Sequence, residues 1–233
     1  MIQNFVISRT PLRISFVGGG TDGLKKQNFA GHIVSTTINK FIYVGLNRHF
    51  NKKIRFSYSI TENVSDVKNI RHEMLRETFK YFGLKTGLEI VSVGDIPSSG
   101  SGLGSSSSFL VGLINCINKL KNLKLSEKKI AEIACHIEIK ILNKPIGKQD
   151  QYSAAYGGLN HMIFHKNKVI IKKLTISKKK ISKLENNLFL FYSNLTRKSQ
   201  KILKKVKENE NVSTLRQISS LTKKFINELK FGN

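Results

Sequence analysis

Between Pro97 and Phe109 the chain runs Pro-Ser-Ser-Gly-Ser-Gly-Leu-Gly-Ser-Ser-Ser-Ser-Phe, three glycines at alternate positions among serines. Glycine lets a backbone turn sharply and approach a ligand closely. A helix that begins just after such a turn presents unpaired N–H groups and the positive end of its dipole, and together these hold phosphate. Nucleotide binding is the chemistry this spacing suggests. Two well-known phosphate loops are excluded. No lysine follows the glycines, as a Gly-x4-Gly-Lys-Ser/Thr loop requires. Gly100-x-Gly102-x-Gly104 also has the wrong spacing for a dinucleotide fingerprint, and no acidic residue about 20 positions on ends a second parallel strand. The plain alternative is a flexible Gly/Ser linker. Against it, Pro97 sets the entry, and a strand-like run and a helix-like run flank the loop.

The elements that must position this loop are legible from periodicity. Residues 2–9 and Arg13–Val17 alternate and read as strands, the second breaking at Gly18-Gly-Gly20. Residues 33–47 read as a strand pair centred on Phe41–Val44, and 54–60 as another strand. Ile70, Met74, Leu75, Phe79 and Phe82 have the spacing of an amphipathic helix over 69–82. Leu88–Val93 is a strand feeding the loop, and Phe109 to Leu120 carries a helical stripe of about four turns. Ser126 caps the next helix, Glu127 sits in its first turn, and Pro145 ends it. Residues 147–158 read as a loop or short helix, 159–164 and 169–174 as a hairpin, and 178–187 as a boundary. Residues 188–192 read as a strand, followed by helical patterns at about 198–208 and 213–231. Early strands with short connections, then helices to cover one face, predict an α+β fold and not alternating βαβ units.

Composition narrows the class. No run of about 18 apolar residues exists, so no helical membrane span and no membrane partner is expected. The first nine residues lack a basic start followed by an apolar stretch, so they read as a strand and not as a signal peptide. Cys116 and Cys135 lie far apart inside helical apolar patterns and read as buried reduced thiols, as in a cytoplasmic enzyme. The net charge is +25, yet 32 of the 40 basic residues are lysine, spread along the chain. Nucleic-acid surfaces favour arginine and interleaved aromatics. The charge therefore reads as a general lysine bias and argues against a nucleic-acid partner, while a basic field would still draw in phosphorylated substrates.

Three ordered motifs carry a resemblance. Arg13-Ile-Ser-Phe-Val-Gly-Gly-Gly-Thr-Asp22, Pro97–Ser108 and Gly147-Lys-Gln-Asp-Gln-Tyr-Ser-Ala-Ala-Tyr-Gly-Gly158 resemble signature segments of the GHMP kinases, in the branch that acts on heptose 7-phosphate. Leu195-Thr-Arg-Lys198 resembles a later element of that branch. The resemblance implies a ribosomal-protein-S5-domain-2-like N-terminal domain over residues 1–180 and a ferredoxin-like GHMP C-terminal domain, incomplete, over 187–233. It implies an ATP- and Mg²⁺-dependent phosphotransferase whose acceptor is a sugar or sugar phosphate, foremost the anomeric hydroxyl of D-glycero-D-manno-heptose 7-phosphate. Ser98, Ser99, Gly100, Ser101, Gly102, Leu103, Gly104, Ser105, Ser106 and Ser107 would cradle the nucleotide. Ser106 and Glu138 would ligate the metal; Glu138 interrupts the apolar run Ile137-Glu-Ile-Lys-Ile. Asp150 would be the catalytic base or hydroxyl-orienting group, with Arg13 beside it. Gly19, Gly20, Thr21 and Asp22 would meet the sugar hydroxyls, and Lys148, Gln149, Gln151 and Tyr152 would shape the sugar pocket. Thr196, Arg197 and Lys198 would grip a phosphate already on the substrate. His161 and His165 read as structural and not as metal ligands.

The resemblance also implies a third glycine-rich motif, and none follows Gly158. The expectation is a truncated second domain whose helical face of Leu215, Ile218, Leu221, Phe225 and Leu229 lacks its usual partners. Either the chain is a fragment or truncated gene product, or a partner completes it, a second copy in a homodimer or another chain. The competing class is a catalytically impaired protein with the same fold that binds a nucleotide or polyanion.

Overall fold

The computed structural model describes residues 4–23, 29–97, 100–191 and 211–232. Two long strands organise it: β1 (Phe5–Val17) and β2 (Gly31–Arg48). They are followed by β3 (Ile54–Ser57), β4 (Thr61–Val64), α1 (Glu73–Tyr81) and β5 (Leu88–Gly94). Then come α2 (Ser105–Leu120), α3 (Glu127–Cys135) with a π-helical turn over His136–Ile141, and α4 (Gln149–Tyr156). The hairpin β6 (Leu159–Phe164) and β7 (Val169–Lys173), α5 (Lys178–Asn186) and α6 (Val212–Phe231) complete it. The seven strands form one sheet, ordered β4-β3-β5-β2-β6-β7, with β1 also paired to β2. All pairings are antiparallel except β3 with β5, which a crossover through β4 and α1 connects. The α+β expectation holds.

β2 is one continuous strand of 18 residues, not the strand pair its sequence suggests. β1 runs beside it, while residues 42–48 pair with β5 and residues 31–36 with β6 on the opposite edge. β1 is likewise continuous. Pro11, which has no N–H to donate, sits beside a register irregularity that keeps the strand intact. The 54–60 run stops at Ser57 and turns into β4. The helical stretch from Ser126 ends at Ile141, ahead of Pro145, and Asn143 takes a left-handed φ of 52°. Residues 147–158 supply the helix α4, and the 178–187 stretch is helical over Lys178–Asn186. Residues 188–191 form no strand: Leu188, Phe189, Leu190 and Phe191 are exposed, and a strand needs a partner edge. The helical pattern at 198–208 lies outside the described residues.

α2 is buried nearly all round and acts as the central rod. Leu113, Cys116 and Ile117 pack on Val44, Leu46, Phe56 and Ile90 of the sheet. Its other side, Leu110, Val111 and Ile114, meets Ile130, Ile133 and Ala134 of α3. Both cysteines are free and buried, and burial pushes the Cys116 thiol up to about 11. The α6 face does find partners. Leu215 is buried, Phe225 stacks on Phe16 with ring centres 5.4 Å apart, and Thr222 Oγ1 donates to the His32 carbonyl. Leu221 remains 53% exposed. No described helix is long and apolar enough to cross a membrane.

α2 approaches the sheet closely at Gly112. A Cβ there would lie 2.7 Å from both Ser8 Oγ and Thr10 Oγ1. Gly112→Ala is therefore expected to overpack the joint and cost about 1–3 kcal/mol, read as a lower midpoint of urea unfolding with unchanged slope.

Candidate active site

The Gly/Ser loop leads directly into α2. Gly100, Gly102 and Gly104 have φ of 76°, 72° and 79°, the left-handed region that side chains disfavour. Gly104 stands at the N-cap position of α2, so no side chain caps the helix. The first N–H groups of α2, from Ser105 onward, remain available to an anion. The hydroxyls of Ser101 and Ser105 are 3.0 Å apart, which draws the loop against the helix start. Beside it lies a cavity of about 440 Å³ walled by Phe56, Tyr58, Ile96, Phe109, Ser105 and Ser106.

Arg13 fastens this loop to α4. Its Nε and Nη2 donate to Asp150 Oδ1 at 2.8 and 2.7 Å, and its Nη1 donates to the Gly102 carbonyl at 2.7 Å. The Arg13 backbone N–H also donates to the Leu103 carbonyl. The Arg13 and Asp150 side chains are 15% and 31% exposed. Asp150 Oδ2 accepts no hydrogen bond among the described residues. A Cβ on Gly104 would sit 3.4 Å from it, so the glycine lets loop and carboxylate meet. Asp22 comes to the same place from the turn after β1. Its Oδ2 accepts from the Gln149 N–H at 2.8 Å, and a Cβ on Gly147 would collide with its carboxylate.

Glu138 lies deeper, its side chain 1% exposed. Oε1 accepts from Ser106 Oγ (3.2 Å) and Lys144 Nζ (3.0 Å); Oε2 accepts from Ser107 Oγ and Gln151 Nε2, both 2.6 Å. The π-helical turn supplies this glutamate, and such turns re-aim side chains at functional sites. Among the described residues no group of three or more His, Cys, Asp or Glu is placed to hold a metal ion. An Mg²⁺ site needs only oxygen donors, since that ion retains several waters. Ser106 Oγ, exposed to the groove, and Glu138 Oε1 form such a pair. Gln151 Oε1 is buried beside them without a partner. The donor set fits Mg²⁺.

Several expected sugar contacts are placed elsewhere. Gln151 is fully buried and spent on Glu138, whereas Tyr152 packs with Ile33, Met162 and Phe164 and also borders the cavity that Lys148 lines. In the first turn of this short helix Asp150 turns to the open side, while Gln149 and the residues that follow it, Gln151 to Ala154, are buried. The buried Gln149 Nε2 has no partner among the described residues. Thr21 is fully buried and donates to the Gly18 carbonyl, so it shapes the turn, whereas Gly19 and Gly20 are exposed. Lys148 borders a second cavity of about 320 Å³, with Lys128, Lys140, Lys168 and Cys135. His161 Nε2 lies 2.9 Å from His32 Nδ1, and burial holds His161 down to about 4. Ser98, Ser99, Thr196, Arg197 and Lys198 lie outside the described residues. Sequence reasoning missed Lys144 and the aromatic cavity; an aromatic at alternate positions Phe56 and Tyr58 was the available signal for the latter.

Burial pushes the Asp22 carboxyl above its ordinary 3.8, and the Asp150 charge adds to the rise, while the Gln149 N–H and Arg13 oppose it. A carboxyl that holds its proton more tightly when folded favours the fold while protonated, and that contribution is lost as pH rises through the folded value. Asp22→Asn keeps an oxygen for Gln149. It is expected to melt above the wild type at pH 7, with the advantage gone near about pH 3.5; thermal melts at the two pH values check this.

Residues 67–158 match the family profile described as GHMP kinases N terminal domain. The D-glycero-alpha-D-manno-heptose 7-phosphate kinase of Campylobacter jejuni is 34% identical over 209 residues, 84% of this chain and 61% of that one. The chain thus spans less than two thirds of that curated relative. A solved structure from the same species is 30% identical, with a TM-score of 0.71 over 95% of this chain and 77% of its own. A D-glycero-D-manno-heptose 1-phosphate kinase structure from Bacteroides thetaiotaomicron shares the fold, with TM-score 0.81 at 22% identity over 97% of this chain and 73% of its own. Motifs, fold and relatives agree, and the chain belongs to the GHMP kinase family.

Proposed function

We propose that the chain is an ATP-dependent sugar kinase that phosphorylates the anomeric hydroxyl of D-glycero-D-manno-heptose 7-phosphate. The observation that carries this reading is the Arg13–Asp150 pair, held against the backbone of Gly102 and Gly104 and opening on the start of α2. It puts a carboxylate oxygen beside the place where phosphate would rest.

Phosphoryl transfer is mainly positioning and charge stabilisation. The N–H groups at the start of α2 and the Gly/Ser loop receive the phosphates. The cavity lined by Phe56, Tyr58 and Phe109 takes the flat base of the nucleotide. Ser106 and Glu138 would hold Mg²⁺, which when bound would neutralise charge on the phosphates. Asp150 Oδ2 accepts the proton of the attacking hydroxyl. Arg13 holds Asp150 by its other oxygen, Oδ1, and offsets negative charge building up nearby. Asp22 and the exposed Gly19 and Gly20 border the sugar. Two features favour a phosphorylated acceptor: the heptose 7-phosphate kinase among the relatives, and the lysine-rich cavity that adjoins the N-terminus of α4. Arg197 and Lys198 are proposed as further phosphate contacts. The division into an N-terminal domain over 1–180 and part of a C-terminal domain over 187–233 is proposed with them.

ATP consumption with heptose 7-phosphate tests the reading. Asp150→Ala is expected to lower kcat about 10²–10⁴-fold while the protein still binds nucleotide. A folded wild type that binds ATP without turnover would instead support the nucleotide-binding module. Lys148→Ala is expected to raise KM for the sugar phosphate several-fold, about 3–10-fold for one lost charged contact, and to leave KM for an unphosphorylated sugar unchanged. Parallel steady-state measurements with the two acceptors check it.

A further inference from the structure

Glu138 is a carboxylate with no vacancy. A carboxylate offers about four lone-pair positions, and Ser106, Ser107, Lys144 and Gln151 occupy them in pairs on the two oxygens. Three of these donors are neutral. Lys144 brings the only positive charge paired with Glu138 among the described residues, from a side chain itself 13% exposed. Its Nζ also lies 3.4 Å from Ser106 Oγ. The ammonium therefore spans the two oxygens that suit a divalent cation. Its backbone is tied to the same residue, since the Lys144 N–H donates to the Glu138 carbonyl at 2.9 Å.

We propose that Lys144 is a built-in counter-ion that holds the cation position when no metal is loaded, and that loading drives its ammonium onto the phosphates of the nucleotide. The inference rests on the metal-dependent kinase reading above and deepens it. A buried carboxylate without a counter-charge is costly, and the Lys144 ammonium offsets that cost. A divalent cation and an ammonium repel at this range, so one must leave. Ser107 and Gln151 are buried on α2 and α4 and cannot. Lys144 can, because its charge rides on a flexible four-carbon stem, and phosphate accepts such a point charge well. A cation arriving alone displaces the ammonium toward water. A cation arriving with a nucleotide gives it a new partner. Metal and nucleotide thus bind with positive coupling, and linkage makes the coupling reciprocal.

The experiment titrates Mn²⁺ by electron paramagnetic resonance into the full chain, alone and with a non-hydrolysable ATP analogue. Wild type, Lys144→Met and Lys144→Arg are compared, each checked for folding by circular dichroism in EDTA. Lys144→Met is expected to bind free Mn²⁺ about tenfold tighter, the worth of one charge-assisted hydrogen bond. The gain in Mn²⁺ affinity on adding the analogue shrinks in the same variant. Lys144→Arg, which keeps the charge, stays near wild type in both. Unchanged or weaker Mn²⁺ binding by folded Lys144→Met, with the coupling intact, overturns the role of Lys144 and leaves the kinase reading standing. Absence of Mn²⁺ binding to wild type, with and without the analogue, overturns both.

Discussion

Burial of the Glu138 carboxylate is the constraint on which the site depends. A charge removed from water must be met by donors and an opposite charge, and this one draws them from separate stretches of the chain. Ser106 and Ser107 come from the first turn of α2, Lys144 from the segment after the π-helical turn, and Gln151 from α4. Satisfying one carboxylate therefore sets the start of α2 against α4. Asp150, next to Gln151, is carried with it to the mouth of the Gly/Ser loop. The Arg13 link to Asp150 and the Gly102 carbonyl closes the same joint from the sheet side.

The sheet contributes through one strand and its turn. Arg13 lies in β1 and Asp22 just beyond it, so a single excursion of chain delivers both to α4. Gly147 makes the second meeting feasible, since any side chain there would occupy the space of the Asp22 carboxylate. Asp22 takes the Gln149 N–H at the start of α4, and that helix has no cap from its own flanking residue. A carboxylate from a distant turn thus performs a local structural task beside the reacting group.

What was legible in the sequence was local or self-contained. The Gly/Ser loop announces its left-handed turns, and α2 and α3 announce themselves by apolar period. Glu138 stands out because a carboxylate interrupts an apolar run. What was hidden depends on distant partners. β2 reads as two strands because its inward residues switch from odd positions, Ile33 and Ser35, to even ones, Ile42, Val44 and Leu46. Alternation restarts there although the strand does not end, and the register irregularity at Pro11 absorbs the switch. Gln151 and Tyr152 flank Asp150 in sequence, yet helical rotation sends one to Glu138 and the other to the core. The apolar run 188–191 has strand-like residues, yet it pairs with no described strand. Lys144 is one lysine among many until folding places it on a buried acid.

Charge balance at the centre follows from these placements. Three carboxylates converge in a strongly basic chain, and two have a cation of their own: Arg13 for Asp150 and Lys144 for Glu138. Asp22 is held by a backbone N–H, and burial raises its proton affinity accordingly. The two cations are not equivalent. The Arg13 guanidinium is locked by a second bond to the Gly102 carbonyl, and its planar fork suits a fixed geometry. Among the described residues the Lys144 ammonium bonds only Glu138 and Ser106, and Ser106 is exposed to the groove. When an anion and its cation enter, the guanidinium has reason to stay and the ammonium has reason to move. One pair therefore maintains the geometry of Asp150, while the other is built to exchange partners.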